Sequence, residues 1–83
     1  MIYPLYAIKD QHVGFGQITI SDNDAVAMRH FQNACEQPNS IFITAPSDFE
    51  LFSIGEYDTK TGEITSISPR LICSAKDFVN KGV

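Results

Sequence analysis

Tryptophan is absent from this chain, and cysteine, histidine and basic side chains are scarce. The two cysteines, Cys35 and Cys73, stand far apart in sequence, which excludes a disulfide-dense scaffold and leaves both as small buried hydrophobes. His30 and Cys35 are separated by a spacing that puts them on different faces of a helix, and His12 stands alone, so no zinc site is expected. Six basic against ten acidic residues give a formal net charge of −4. That balance repels phosphate at long range and argues against non-specific binding of nucleic acid or anionic membranes. No run approaches the roughly 18 apolar residues of a membrane span, and Met1-Ile2-Tyr3-Pro4-Leu5-Tyr6 lacks the basic start and unbroken apolar core of a signal peptide. A reducing cytoplasm without membrane contact is the expected compartment.

What the chain does have is apolar bulk. With 43% hydrophobic residues, six Phe and three Tyr among 83 residues, it is too apolar for a disordered tail and short enough to be a single domain, residues 1–83. A domain this small hides only about 60% of its unfolded surface, so added burial against a second copy is expected.

The longest periodic segment runs from Ser21 to Gln37. Ala27, Met28, Phe31, Ala34 and Cys35 recur at three- and four-residue spacing and fall on one stripe of a helix. Ser21, Asp22 and Asn23 are candidate caps, Asp22 and Asp24 suit the positive end of the helix dipole, and Pro38 stops the ladder. A helix of this length is marginal alone in water, so it needs a sheet to lie on.

Residues 2 to 9 read as a strand apolar on both faces, which places it centrally in a covered sheet or at a subunit contact; Pro4 suits an edge or a strand end. After a turn at Asp10 to Gly14, Phe15 to Ile20 sets Ile18 and Ile20 against Gln17 and Thr19, giving a hairpin that leads into the helix. Ile41-Phe42-Ile43 fits a strand fragment or a loop tucked under the sheet. Leu51 to Asp58 and Glu63 to Ser68 flank Thr59-Lys60-Thr61-Gly62, the strongest hairpin signal in the chain, with Ser53, Gly55 and Tyr57 expected outward and Phe52 and Ile54 inward. Near the end, Ser74 and Asp77 resemble a capping box before a helical turn closing near Gly82, while Leu71-Ile72-Cys73 could equally extend a strand. The pattern predicts an α+β fold: a small antiparallel sheet in the order strand, strand, helix, hairpin, with one main helix packed on one face.

Catalytic signals are weak. Gly14-Phe15-Gly16 beside His12 has no third glycine opening a helix and reads as a flexible hairpin rather than a dinucleotide fingerprint. No Cys or Ser has a base and an orienting group arranged beside it in sequence, and Asp48 and Glu50 read as solvated carboxylates or a helical cap. The expectation is a protein that is not an enzyme and holds no cofactor or metal. Arg29, the only basic residue in the helix, reads as a surface side chain or an ion pair with Asp22 or Glu36, with a phosphate or partner carboxylate as the alternative. Tyr3, Tyr6, Phe15, Phe52 and Tyr57 could stack single-stranded bases on an open sheet face, although core or dimer packing is the commoner fate of such residues. The candidate contacts to nucleic acid or to a partner are Lys9, Phe15, Arg29, Tyr57, Lys60 and Arg70.

Three motifs stand in order along the chain. They are Tyr6-x-Ile8-x-Asp10, then Asn23-Asp24-Ala25-x-Ala27-x-Arg29-x-Phe31, then Pro46-x-Asp48-x-x-Leu51-x-x-Ile54-Gly55-x-Tyr57-Asp58-x-x-Thr61-Gly62. Together they resemble the small nonstructural protein of gokushoviruses, tailless bacteriophages with circular single-stranded DNA genomes. Ile18-Thr19-Ile20 stands where that family has a proline- and phenylalanine-rich approach to the helix, and the tail here is poor in lysine and arginine. The resemblance implies a non-enzymatic accessory protein of the host bacterial cytoplasm that helps genome replication or the packaging of single-stranded DNA. The expected partners are a second copy, in a dimer or higher oligomer with the apolar second face of the sheet making the contact, single-stranded DNA, and viral replication or capsid-assembly proteins. A protein-interaction adaptor for the replication initiator or a host factor, without nucleic-acid contact, is the alternative.

Overall fold

Two hairpins frame the molecule, because turn residues interrupt its β-forming runs at two places. The computed structural model describes residues 1–79. β1 (Ile2–Asp10) and β2 (Gly14–Ile20) form the first hairpin, followed by α1 (Asp24–Cys35) and a single helical turn, α2 (Ile41–Thr44). A 3₁₀ turn at Pro46–Asp48 leads into β3 (Phe49–Asp58) and β4 (Ile64–Ser74), and the helical turn α3 (Lys76–Val79) closes the described chain. The strands make one antiparallel sheet in the order β2-β1-β3-β4. The fold is α+β and dominated by its sheet.

Local chemistry accounts for the boundaries. Gly14 and Gly62 adopt positive φ values of 112° and 78° in the two hairpin turns, where a side chain would be strained. In the second turn the Asp58 carboxylate accepts from Lys60 N–H at 2.9 Å, and Gly62 N–H donates to Asp58 carbonyl at 2.8 Å. Asn23 caps α1 by accepting from Val26 N–H at 2.9 Å, with Asp24 in the first turn. Pro4 lies in a central strand, not at an edge. It sits beyond Leu5↔Ile20, the last pair of β1 with β2, so β2 requires no donor from it.

The helices share one side of the sheet. Tyr6, Leu51 and Cys73 from three strands meet Ala27, Phe31 and Cys35 of α1 in a single buried cluster, with Met28, Phe42, Phe78 and Val79 packed at its margin. The covering layer is therefore α1 with α2 and α3 beside it, not one helix alone. Phe31 sets the joint: its ring stands edge-on to Phe42 at 5.4 Å and to Phe78 at 6.3 Å.

Several expectations are corrected. Ile41-Phe42-Ile43 is neither strand nor plain loop: Ser40 Oγ accepts from Phe42 N–H at 3.1 Å and starts a helical turn that buries part of Phe42 and exposes both isoleucines. The expected faces of β3 are reversed at Phe52 and Ser53, while Gly55 and Tyr57 lie on the outward side as expected. Ser53 is buried beneath the helix layer, paired with Tyr6, while Phe52 pairs with Ala7 on the other side. Register shifts at Ser53/Gly55 and Leu5/Tyr6 break the simple alternation from which the opposite assignment followed. At the tail both alternatives occur in succession: β4 runs through Leu71-Ile72-Cys73 to Ser74, and α3 follows, with Asp77 accepting from Ser74 N–H at 2.9 Å. The expected end near Gly82 lies outside the described residues.

Burial explains the state of the thiols. It pushes both Cys35 and Cys73 up to about 11, helped by Glu36 for the first and by Asp77 and Cys35 for the second. At pH 8 the native protein should react with a thiol reagent such as DTNB far more slowly than the urea-unfolded chain, and equal rates in the two states would contradict this core.

Candidate interaction face

Strand alternation sorts the sheet into two unlike faces. Residues paired across antiparallel strands share a face, so the register gives rows running across the sheet. On the side away from the helices the central row is Ile18, Ala7, Phe52 and Leu71, and the next is Ile20, Leu5, Gly55 and Ser66. A third row holds Phe15, Lys9 and Glu50, and a fourth holds Tyr3, Tyr57 and Ile64. Leu5 and Ala7 are sheltered by their neighbours, but Phe15 (44%), Ile18 (55%), Ile20 (48%) and Leu71 (53%) remain exposed. Phe15 and Phe52 meet edge to face at 5.4 Å, and Lys9 Nζ lies 5.6 Å from the Phe15 ring centroid.

The opposite face carries a polar clasp. Tyr6 is fully buried and its hydroxyl donates to Asp24 Oδ1 at 2.6 Å, while Arg70 on β4 reaches the same carboxylate at 3.0 Å. The Tyr6 hydrogen bond, and after it Arg70, holds the Asp24 carboxyl below its ordinary 3.8. Burial, reinforced by that carboxylate, lifts the Tyr6 phenol well above its ordinary 10.0. The signs give a plateau of stability. Asp24 contributes fully above 3.8 and loses its contribution as pH falls below that value, whereas Tyr6 contributes fully below 10.0 and loses it above. Tyr6→Phe removes one hydrogen bond to a charged acceptor and should cost about 1.5 kcal/mol at pH 7. Urea denaturation should show this cost shrinking towards pH 2.5, and a cost that stays constant with pH would refute the assignment.

Two hollows border the first hairpin. One, about 320 Å³, lies at the end of the first hairpin and is lined by Ile8, Val13, Ile41, Phe42 and Phe49. The other, about 180 Å³, runs between α1 and β2 past Gln17, Thr19, Ala27, His30, Phe31 and Ala34.

The structure divides the six sequence candidates. Lys9 and Phe15 meet on the uncovered face, and Tyr57 lies on the same face at the other end of β1, paired with Tyr3, with Phe15 exposed and the other two half-buried. Arg70 sits on the helix side and is committed to Asp24. Arg29 is exposed on α1 and makes no ion pair with Asp22, and Lys60 is exposed at the tip of the second hairpin. The basic residues therefore do not form one footprint. Of the proposed stacking platform, Tyr6 is excluded because it lies beneath α1, while Tyr3, Phe15, Phe52 and Tyr57 share a face. His12 approaches Asp48 at 3.2 Å, and Glu50 accepts from Gln11. Among the described residues no group of three or more His, Cys, Asp or Glu is placed to hold a metal ion, and no helix is long and apolar enough to cross a membrane. Sequence reading missed the Tyr6, Asp24 and Arg70 clasp, whose members are scattered along the chain, and it missed Leu71 as part of the face. Alternation past the bulges in β4 was the only signal for Leu71.

Architecture and surface define a class: small, sheet-dominated α+β proteins with helices on one side of the sheet and an uncovered apolar face on the other. Residues 3–78 match the family model described as Phage ORF5 protein, and the chain belongs to that family. No curated protein and no solved structure matches it.

Proposed function

We propose that this chain is a non-enzymatic phage accessory protein of the host bacterial cytoplasm, acting as a homo-oligomer in replication or packaging of a single-stranded DNA genome of the gokushovirus kind. Membership of a phage family supports the viral setting, and the three motifs resembling the gokushovirus nonstructural protein support the genome type. The single observation carrying a binding role is the uncovered sheet face, where Phe15, Ile18, Ile20 and Leu71 are exposed together. Direct contact with single-stranded DNA would fall to Arg29 and Lys60, exposed cations that are not engaged by Asp24 as Arg70 is. Phe15 beside Lys9, and Tyr57 farther along the same face, would serve as stacking rings wherever that face is open.

A second reading has its own observation. Arg70 is neutralised by Asp24, and the whole chain carries a net charge of −4, both of which favour an adaptor that engages a viral replication or capsid-assembly protein, or a host factor, without touching DNA. Fluorescence anisotropy with labelled oligo(dT) at 50 and 200 mM salt separates the two. Micromolar binding that weakens at least tenfold at the higher salt supports DNA contact, whereas no binding at 100 μM protein leaves the adaptor.

A further inference from the structure

The edge strand β2 is oriented against the core that surrounds it. Its polar residues Gln17 and Thr19 line the hollow beside α1, whose end Ile20 also touches. Ile18 and Ile20 pair with Ala7 and Leu5 and stay 55% and 48% exposed in the rows on the side with no helix. A half-buried strand in a lone molecule places its apolar set towards the core, because one residue of slip exchanges the two faces. Here the register is pinned: Thr19 Oγ1 donates to Tyr6 carbonyl at 3.4 Å, and Leu5, Tyr6 and Ala7 pair in turn with Ile20, Thr19 and Ile18. The isoleucines are thus fixed outward, and Leu71 on the opposite edge strand lies in the same row as Ile18.

We infer that this face is covered by a second copy of the chain, the two sheets packing face to face through Ile18, Ile20, Phe15, Phe52 and Leu71. The inference deepens the oligomeric part of the proposed function and rests on it; it does not depend on DNA contact. Size and charge select the occupant. Strands about 4.8 Å apart and about 3.3 Å per residue make the face roughly 20 by 25 Å, so two copies bury about 1,000 Å² between them, at the threshold of a specific interface. The rows across the patch carry one cation, Lys9, and one anion, Glu50, side by side. Two copies of a chain with a net charge of −4 therefore meet without like-charge repulsion at their contact, and a polyanion finds no net positive charge there. The aligned packing of two twisted sheets needs no element beyond those present.

Light scattering coupled to size exclusion tests this on the full chain. The wild type at 100 μM is expected at twice its 9.2 kDa mass, and Ile18→Glu or Leu71→Glu at the single mass with an unchanged far-ultraviolet circular dichroism spectrum. Ile43→Glu, an exposed position of α2 on the helix side of the sheet, should leave the dimer intact. Hydroxyl-radical footprinting of the wild type covers the case in which the charged variants do not fold: Phe15, Ile18 and Leu71 should be protected at 100 μM and labelled several-fold more on dilution to 1 μM. A monomeric wild type, dimers in both folded Glu variants, or labelling independent of concentration would overturn the interface. The oligo(dT) measurement reads a different quantity, so loss of DNA contact and loss of this interface are told apart.

Discussion

Phe31→Ala should lower the melting temperature by at least about 12 °C in a circular-dichroism melt, the largest effect expected of a single substitution here. Phe31 is 3% exposed and is the ring on which the covering layer converges, touching Phe42 of α2 and Phe78 of α3. Emptying such a site removes transfer free energy and leaves a cavity, together about 3 to 5 kcal/mol. A chain of this length has a total stability of only about 4 to 12 kcal/mol, and each kcal/mol is worth about 4 to 8 °C. The loss should also spread, because single-turn helices have no stability of their own and α2 and α3 are held by side chains docked on this ring. Phe31→Leu keeps most of the volume and should lose less than half as much. A melting point within 5 °C of wild type for the alanine variant would show that the cluster is not the core.

Gly55→Ala, a change of one methyl group, should cost about 2 to 3 kcal/mol in urea denaturation. A Cβ built on Gly55 would stand 2.5 Å from Thr65 carbonyl oxygen and 3.5 Å from Ser66 Cα. Both are backbone atoms of the neighbouring strand, so relief requires β3 and β4 to move apart where their register shifts between Ser53 and Gly55. Gly62 makes the contrast. It has open space around it and φ +78°, so Gly62→Ala meets conformational strain alone, about 1 kcal/mol. If the two alanine variants cost the same, close strand approach is not what reserves position 55 for glycine.

Signals that depend on neighbours in sequence were legible. Asn23 and Pro38 bracketed the helix, and Asp58 with Gly62 marked the second turn, because capping and positive φ are local requirements. Alternation in β3 misled because the strand changes face between Ser53 and Gly55: Phe52 and Ser53 keep step with buried Leu51, whereas Gly55 and Tyr57 fall on the uncovered side. Ile41-Phe42-Ile43 misled for a related reason: three apolar residues have no period, and Ser40 decided the matter through one hydrogen bond. Among the candidate contacts, Lys9 and Phe15 could be linked through the hairpin, but the fate of Arg70 depended on Asp24, 46 residues earlier. No spacing rule reaches that far.

The clasp also sets how the molecule loosens. Arg70 lies on an edge strand, and Asp24 begins α1, so the carboxylate joins the outermost strand to the first turn of the helix through Tyr6 in the sheet centre. Fraying of that strand near Arg70 releases the Asp24 carboxylate, and unwinding of the helix start releases the guanidinium. Being half-exposed, the ion pair couples the two ends by no more than about 1 kcal/mol, so Arg70→Gln should make the amide protons at the start of α1 exchange up to about fivefold faster.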